Sequence, residues 1–407
     1  MTVGRIINAI GVGVAYSIVP IYLAECSPPT VRGTLTSFYQ WFFTFGQFWA
    51  YFIIYFTKDK TTKWSYLTAI LVQVVIPAFM LAATPFLIES PRWLIITGKR
   101  EQGVISMSKL YGKDTQYDIN KIADEIEEAH NALQNYRKDT SYLDLFKGVN
   151  LRRTLIAMAI PCLLTGQGLV FMGAYLVLFL ESIGVDDANL MLMVIMLVLL
   201  ATNTFSFWGA DRFGRRNLLM ISSFFMAISF YLVAVFAWYV RSNAANNTVV
   251  AFLFIWCIVY GATWAPLAHI TVGEIPSTQL REKTLAVAMF LNFGISMLVS
   301  FVNPYIQNAG EGNLQGRVGF VYGSVSWLAI IMVYFGLPEV KGLSLDVIDT
   351  LFELKTSAKT FLKEGQKLMA ADGVVELDHV LSAHKSIVEG ERVLESMFSP
   401  KEKMYEE

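Results

Sequence analysis

Charged side chains recur at matching places along this chain. Glu25 and Arg32 stand seven residues apart, and so do Glu274 and Arg281. Glu89 with Arg92, and Asp211 with Arg215 and Arg216, form two further clusters, each at the end of an apolar stretch. Acidic and basic groups at one depth on neighbouring helices can clamp two groups of helices together and separate when the groups rock apart. An exposed pair is worth only about 0–1 kcal/mol, which suits a contact that must open. The alternative role, an arginine anchored at lipid headgroups, fits Arg212 better. The four histidines, His130, His269, His379 and His384, are scattered. With no nucleophile, base and acid in sequence reach, no phosphate-cradling glycine loop and no metal-ligand spacing, an enzyme finds little support, and no cofactor or metal is implied.

The elements that must position these charges are membrane helices. Of 407 residues, 55% are hydrophobic and 14% aromatic, more apolar surface than one water-soluble core buries. The apolar residues gather into nine expected spans: Ile6–Leu23, Leu35–Phe56, Tyr66–Leu87, Leu155–Leu180, Leu190–Phe207, Leu218–Val240, Val249–Val272, Leu285–Val302 and Val318–Leu337. Each is close to the length that crosses about 30 Å of hydrocarbon as a helix. Interior Gly11, Gly13, Pro20 and Pro266 are tolerated there, because membrane helices use small residues for close packing and re-satisfy freed backbone groups. The bilayer is therefore the expected surround. A net charge of −1 offers no basic surface for phosphates, which excludes nucleic acid as a partner. Cys26, Cys162 and Cys257 lie far apart, in or beside apolar stretches, and read as packing residues.

Orientation follows from Lys and Arg in the loops. Segments 25–33, 89–153, 209–217 and 275–284 hold 17 basic residues, against 5 in the alternate set 57–65, 184–188, 241–248 and 303–317. The first set is placed in the cytosol, and the C-terminus with it. Lys58, Lys60 and Lys63 break the rule on the outer side. The sequon Asn246-Asn247-Thr248 falls in a loop assigned outside, where an acceptor would be accessible.

The charge pattern also betrays a repeat. Glu25 precedes Glu89 by 64 residues, and Glu274 precedes Glu339 by 65. Two copies of one unit are implied, the first lacking roughly 95 residues and three helices that the second copy has ahead of Glu274; a nine-helix form is the alternative. The domains expected are a partial N-terminal bundle at 1–94, a cytosolic linker at 95–153 with a helical stretch at Ile119–Leu133, a C-terminal bundle at 154–338 and a cytosolic tail at 339–407. In the tail, Ile348, Leu351 and Phe352 are spaced for a short amphipathic helix under the bundle. The last fifty residues have a solvated, polar composition.

Four spaced motifs carry a resemblance. Gly4-Arg5, Gly11, Gly13, Pro20, Tyr22, Glu25, Pro28, Arg32-Gly33 and Gln40 resemble the fourth and fifth helices of sugar porters of the major facilitator superfamily. Glu89-Ser90-Pro91-Arg92-Trp93-Leu94 resembles their sequence after helix six, Asp211 to Arg216 that between helices eight and nine, and Pro338-Glu339 to Gly342 that after helix twelve. The likeness runs from Gly4 to about Phe361. Tyr142 to Gly148, Asn150 to Thr154, Glu274 to Thr278 and Leu351-Phe352-Glu353 are similar to the fungal α-glucoside permease branch. The resemblance implies an all-α major facilitator bundle, helices four to twelve of a twelve-helix fold, in a multi-pass protein of the plasma membrane.

It also implies a site. Gln40 matches a sugar-binding glutamine, Trp264 a tryptophan stacked on the sugar, and Asn292 an amide position of helix eleven. Amides can donate to and accept from hydroxyls, and an indole face covers the apolar side of a sugar ring. Interhelical hydrogen bonding is the alternative for Gln40 and Asn292, and ordinary packing for Trp264. The chain departs from the pattern in Cys162-Leu163-Leu164-Thr165-Gly166-Gln167, which leaves Gln167 as the one amide there, and in a tyrosine pair reduced to Tyr175. Arg5 matches an arginine tied to proton coupling, and His269 serves either a neighbouring helix or substrate and proton. The expected activity is sugar transport by alternating access, coupled to protons, for an α-glucoside. A sugar sensor of the same fold and a non-functional fragment are the alternatives.

Overall fold

The computed structural model describes residues 2–27, 32–59, 62–111, 119–124, 126–128, 141–185, 187–240, 242–277, 279–307, 312, 314–343 and 345–370. Among them every regular element is a helix. In chain order these are α1 Thr2–Cys26, α2 Arg32–Thr57, α3 Trp64–Ala83, α4 Pro91–Ile96, α5 Arg100–Tyr111, α6 Gly148–Leu164, α7 Leu176–Ser182, α8 Ala188–Phe213, α9 Arg215–Tyr239, α10 Asn243–Ala262, α11 Trp264–Glu274, α12 Arg281–Gln307, α13 Val318–Phe335, α14 Leu345–Glu353 and α15 Phe361–Ala370. Among the described residues, seven helical stretches are long and apolar enough to cross a membrane, starting at Trp64, Gly148, Ala188, Arg215, Ala244, Arg281 and Val318. The 25 residues of α1 and the 26 of α2 coincide with the first two expected spans.

Two expected spans are broken helices. The fourth begins earlier than expected, at Gly148, inside the segment read as linker, and runs as α6 into two π-turns at Thr165–Leu169 and Phe171–Tyr175 before α7 resumes. Gly168 sits in the first π-turn at φ +105, a left-handed conformation that a Cβ disfavours. A Cβ there would also fall 2.6 Å from the Phe230 ring of α9. The seventh span stops at Ala262 and restarts at Trp264, with Thr263 at φ −131, ψ −75 between them. Pro266 explains the stop, since its ring collides with the carbonyl four residues back and it has no N–H to donate. The sequon is not in a loop. α10 starts at Asn243, and the Asn246 amide donates to the Ile183 carbonyl at 2.8 Å, so its nitrogen is engaged within the fold.

The core lies in the C-terminal helices, around Phe171, Phe230, Trp256, Trp264 and Tyr322. By contrast α3 buries no residue and most of α1 is exposed. Hydrocarbon covers such faces as well as a neighbour would. Outside the bundle, α4 is nucleated by Ser90, whose hydroxyl accepts from Trp93 N, with Pro91 in the first turn. Ile95 on α4, Met107 on α5 and Ala123 in the helical turn at 119–124 make a second, small cluster. The remainder of the expected helix Ile119–Leu133 falls largely outside the described residues, as does the tail beyond 370. Ile348, Leu351 and Phe352 of α14 are buried against the bundle as their spacing required. Arg153 clasps them, its Nη2 at 2.5 Å from Asp349 Oδ1 and its guanidinium 4.4 Å from the Phe352 ring centre.

Gly168→Ala is expected to destabilise the protein by about 2 kcal/mol or more, combining a left-handed alanine with an overpacked contact. Thermal unfolding in lipid nanodiscs measures it. Shortening Phe230 to Leu alongside recovers the steric part and leaves the backbone part.

Candidate functional site

A stripe of side chains on α2 fastens it to the C-terminal helices. Trp41 Nε1 donates to Thr204 Oγ1 at 3.0 Å, and Asn203 Nδ2 donates to Thr44 Oγ1 at 3.1 Å, both reaching α8. The Tyr51 hydroxyl donates to the Gly173 carbonyl in the second π-turn. At the far end of the stripe, Lys58 Nζ lies 2.5 Å from Asp187 Oδ1. Positions 41, 44, 51 and 58 repeat at three and seven residues, so they share one helix face. Asp187 also caps α8, accepting from Leu190 N at 3.2 Å. Lys58 holds its carboxyl below the usual carboxylate range, and Asp187 in turn raises the Lys58 ammonium. The lysine that broke the inside-positive pattern thus has a partner from the other half of the chain.

Beside this seam lies a cavity of about 320 Å³. Gln47 and Tyr51 of α2, Met172 and Gly173 of the π-turn, Ile195, Met196 and Leu199 of α8, Trp256, Cys257 and Tyr260 of α10, and Ser296 of α12 line it. The indole of Trp256 stacks on Tyr260, centroids 4.7 Å apart and planes at 10°. Trp256 Nε1 is buried with no hydrogen-bond partner, at a cost of about 1–3 kcal/mol unless something accepts from it.

The five residues expected to bind substrate are placed elsewhere than on this wall. Trp264 is fully buried, and its Nε1 donates to Ser223 Oγ of α9 at 2.9 Å. The break before it turns the indole inward. Asn292 Oδ1 accepts from Thr165 Oγ1 at 2.5 Å, and the Tyr175 hydroxyl donates to the Ser300 carbonyl at 2.6 Å; both bonds tie α12 to the π-turns. Gln167 is buried, with Nε2 at 3.3 Å from the Leu163 carbonyl and Oε1 without a partner. Gln40 is half-buried, two turns from Gln47. His269 Nδ1 lies 3.0 Å from the Ala265 carbonyl. Gln47 and Trp256, which line the cavity, lie outside the expected set, although an amide seven residues after Gln40 in an apolar span was a legible signal.

At the ends expected in the cytosol, Glu274 pairs with Arg215 at 3.1 Å, while Arg281, its expected partner by repeat, leaves Nε and Nη2 without partners. Glu25 accepts from Ser90 Oγ at 2.6 Å, which ties α1 to the start of α4. The Arg32 and Asp211 side chains lie outside the described residues. Arg92 and Arg5 are exposed, and the Glu89 carbonyl accepts from Ser106 Oγ at 2.6 Å. Glu339 caps α9, accepting from Arg215 N at 3.1 Å and Arg216 N at 2.9 Å, an anion placed at a helix N-terminus. Gly214, at φ +83, makes room for it, since a Cβ there would come within 2.6 Å of Glu339.

A family model described as "Sugar (and other) transporter" matches residues 1–352. The chain is 27% identical over 379 residues to the "High glucose sensor RGT2" of Saccharomyces cerevisiae, covering 90% of this chain and 49% of that protein. It is 28% identical over 370 residues to a "Low-affinity glucose transporter" of Kluyveromyces lactis, covering 86% and 63%. The chain therefore spans between about half and two thirds of the length of these relatives. Among solved structures, that of the major facilitator superfamily proton:xylose symporter XylE bound to 6-bromo-6-deoxy-D-glucose is similar, with a TM-score of 0.69 at 25% identity over 86% of this chain and 73% of that one.

The Lys58–Asp187 pair gives a pH test. A depressed Asp187 contributes stability that is complete above about pH 4, its ordinary range, and is lost as pH falls through its lower folded value. A raised Lys58 contributes below its ordinary value of about 10 and loses that only at higher pH. The melting temperature of the wild type minus that of Asp187→Asn should therefore be flat from about pH 5 to 9 and shrink below about pH 4.

Proposed function

Since the chain belongs to the sugar (and other) transporter family, we propose that it carries a sugar across the membrane by alternating access, driven by protons, and that its sugar is an α-glucoside. The carrying observation is the cavity, which is walled by α2 from the first repeat and by α8, α10 and α12 from the second. A site at the junction of two repeats can be opened to either side by rocking one against the other. The Arg215–Glu274 contact at the cytosolic ends supports a gate there, and the α2 stripe supports a seam about which the halves turn. The likeness to XylE, a proton:xylose symporter by its title, supports proton coupling. Likeness of short stretches to α-glucoside permeases supports the sugar class. The loop charges support a cytosolic C-terminus, and the fungal hexose carriers among the relatives support the plasma membrane.

In this reading the amides and hydroxyls around the cavity orient the sugar, and the Trp256–Tyr260 stack covers an apolar face of it. A sensor is the second reading, favoured by the relative named as a glucose sensor. Reconstituted into proteoliposomes, the protein is expected to take up labelled maltose with a matching entry of protons. Binding without uptake would favour the sensor, and the absence of both would overturn the proposal.

Arg215→Ala and Glu274→Ala should each slow uptake and raise the cysteine reactivity of the cytosolic face, and the double variant should be little worse than either single one. The coupling energy expected between these two partners is about 1 kcal/mol or more, from a double-mutant cycle on the labelling equilibrium. Additive effects would separate the two side chains and remove the gate.

A further inference from the structure

The end of the segment expected as a linker carries an apolar patch turned away from the core. Tyr142–Phe146 form a short 3-10 helix closed by a capping box, in which Ser141 Oγ accepts from Leu143 N at 3.4 Å and Asp144 Oδ2 accepts from Ser141 N at 2.6 Å. Side chains three apart stand one above the other in such a helix. Leu143 and Phe146 are accordingly exposed together, at 69% and 47%, while Leu145 between them is fully buried.

Two contacts fix the depth of this patch. Thr154 Oγ1 of α6 donates to the Leu145 carbonyl at 2.9 Å, so the short helix folds back beside the first turns of α6 instead of trailing away from its end. Lys283 Nζ, in the first turn of α12, lies 5.6 Å from the Tyr142 ring centre. Both neighbouring helices begin their exposed apolar stripes at this level. On α6, Leu151 and Leu155 are one turn apart and exposed, and on α12 the exposed Phe290 stands two turns beyond Lys283 on the same face. Hydrocarbon covers such stripes in a membrane helix, and the patch adjoins the end of them. Lys147, its Nζ 2.9 Å from Asp144 Oδ1, adds charge at its rim. An apolar pair with a tyrosine and lysines at its edge is the composition of the membrane–water boundary.

We infer that Tyr142–Phe146 is a membrane anchor outside the spanning helices: Leu143 and Phe146 sit where headgroups meet acyl chains, Tyr142 lies among the headgroups, and the partner is the phospholipid surface. The anchor sets the depth of the first turns of α6, and with them Arg153, which holds α14 through Asp349. The tail helices are thereby kept near the bilayer surface whatever the protein carries.

Footprinting of the whole chain in phosphatidylcholine nanodiscs decides it, read residue by residue by mass spectrometry. One diazirine is carried on the lipid acyl chain next to the glycerol and a second is water-soluble. Leu143 and Phe146 are expected to take about five-fold or more label from the lipid reagent than the exposed Glu353, Lys355 and Ser357 do, with the order reversed for the water-soluble reagent. Leu143→Gln combined with Phe146→Gln, which leaves Leu145 in the core, should lower lipid labelling of 142–146 by about three-fold or more while Leu155 keeps its own. Aqueous labelling of Leu143 and Phe146 equal to that of Ser357 overturns the inference in favour of a solvated turn. Protection from both reagents overturns it in favour of a protein cover, and unchanged lipid labelling in the double variant overturns the role given to these two side chains.

Discussion

The architecture depends on how α2 is held against the C-terminal helices. In hydrocarbon, leucine against leucine gains nothing over leucine against lipid, so helices are held by close packing and by polar bonds between them. Trp41, Thr44, Tyr51 and Lys58 supply such bonds along one face of α2, and each reaches a partner more than a hundred residues away in sequence. The spacing fixes the depth of α2 relative to α8. It also leaves Gln47, between the second and third fastening, on the wall of the cavity.

Both interrupted helices border the cavity: the second π-turn contributes Met172 and Gly173, and α10 contributes Trp256, Cys257 and Tyr260 in the turns before it stops. The same breaks spend polar groups on structure. Thr165 and Tyr175 bond to α12, and Trp264 bonds to α9. Thr165, Asn292, Tyr175 and Trp264 are engaged in these interhelical bonds, and Gln47, Trp256 and Tyr260 line the open space.

At the charged helix ends, ion pairs and caps join the helices. Glu339 caps α9 through two backbone N–H groups and Arg215 bridges to Glu274, so the ends of α9, α11 and α13 meet at one cluster. Arg153, 4% exposed, carries α14 by an ion pair and a ring contact together. A guanidinium so desolvated is costly unless its partners stay in place, which ties the tail segment to the first helix of the second repeat.

The sequence alone determined the class of the protein, the depth of its charges and most of its spans, because lipid imposes a length and a polarity that composition must obey. The amphipathic spacing of Ile348, Leu351 and Phe352 was legible for the same reason, whereas the pairing of Glu274 with Arg215 in place of Arg281 was not. The anomaly at Lys58 was visible but not its cause, since Asp187 meets it only through folding. What the tertiary structure alone decided is where each polar side chain inside the membrane turns. Gln40, Gln167, Tyr175, Trp264 and Asn292 were reasonable by residue type. For Tyr175 and Trp264 a π-turn or a proline stop rotates later residues about the helix axis, and a pattern read at 3.6 residues per turn does not carry across it, whereas Gln40 and Asn292 lie on α2 and α12 with no such break before them. That rotation put Trp264 into the packing against α9 and left Trp256, one broken helix earlier, on the wall of the cavity.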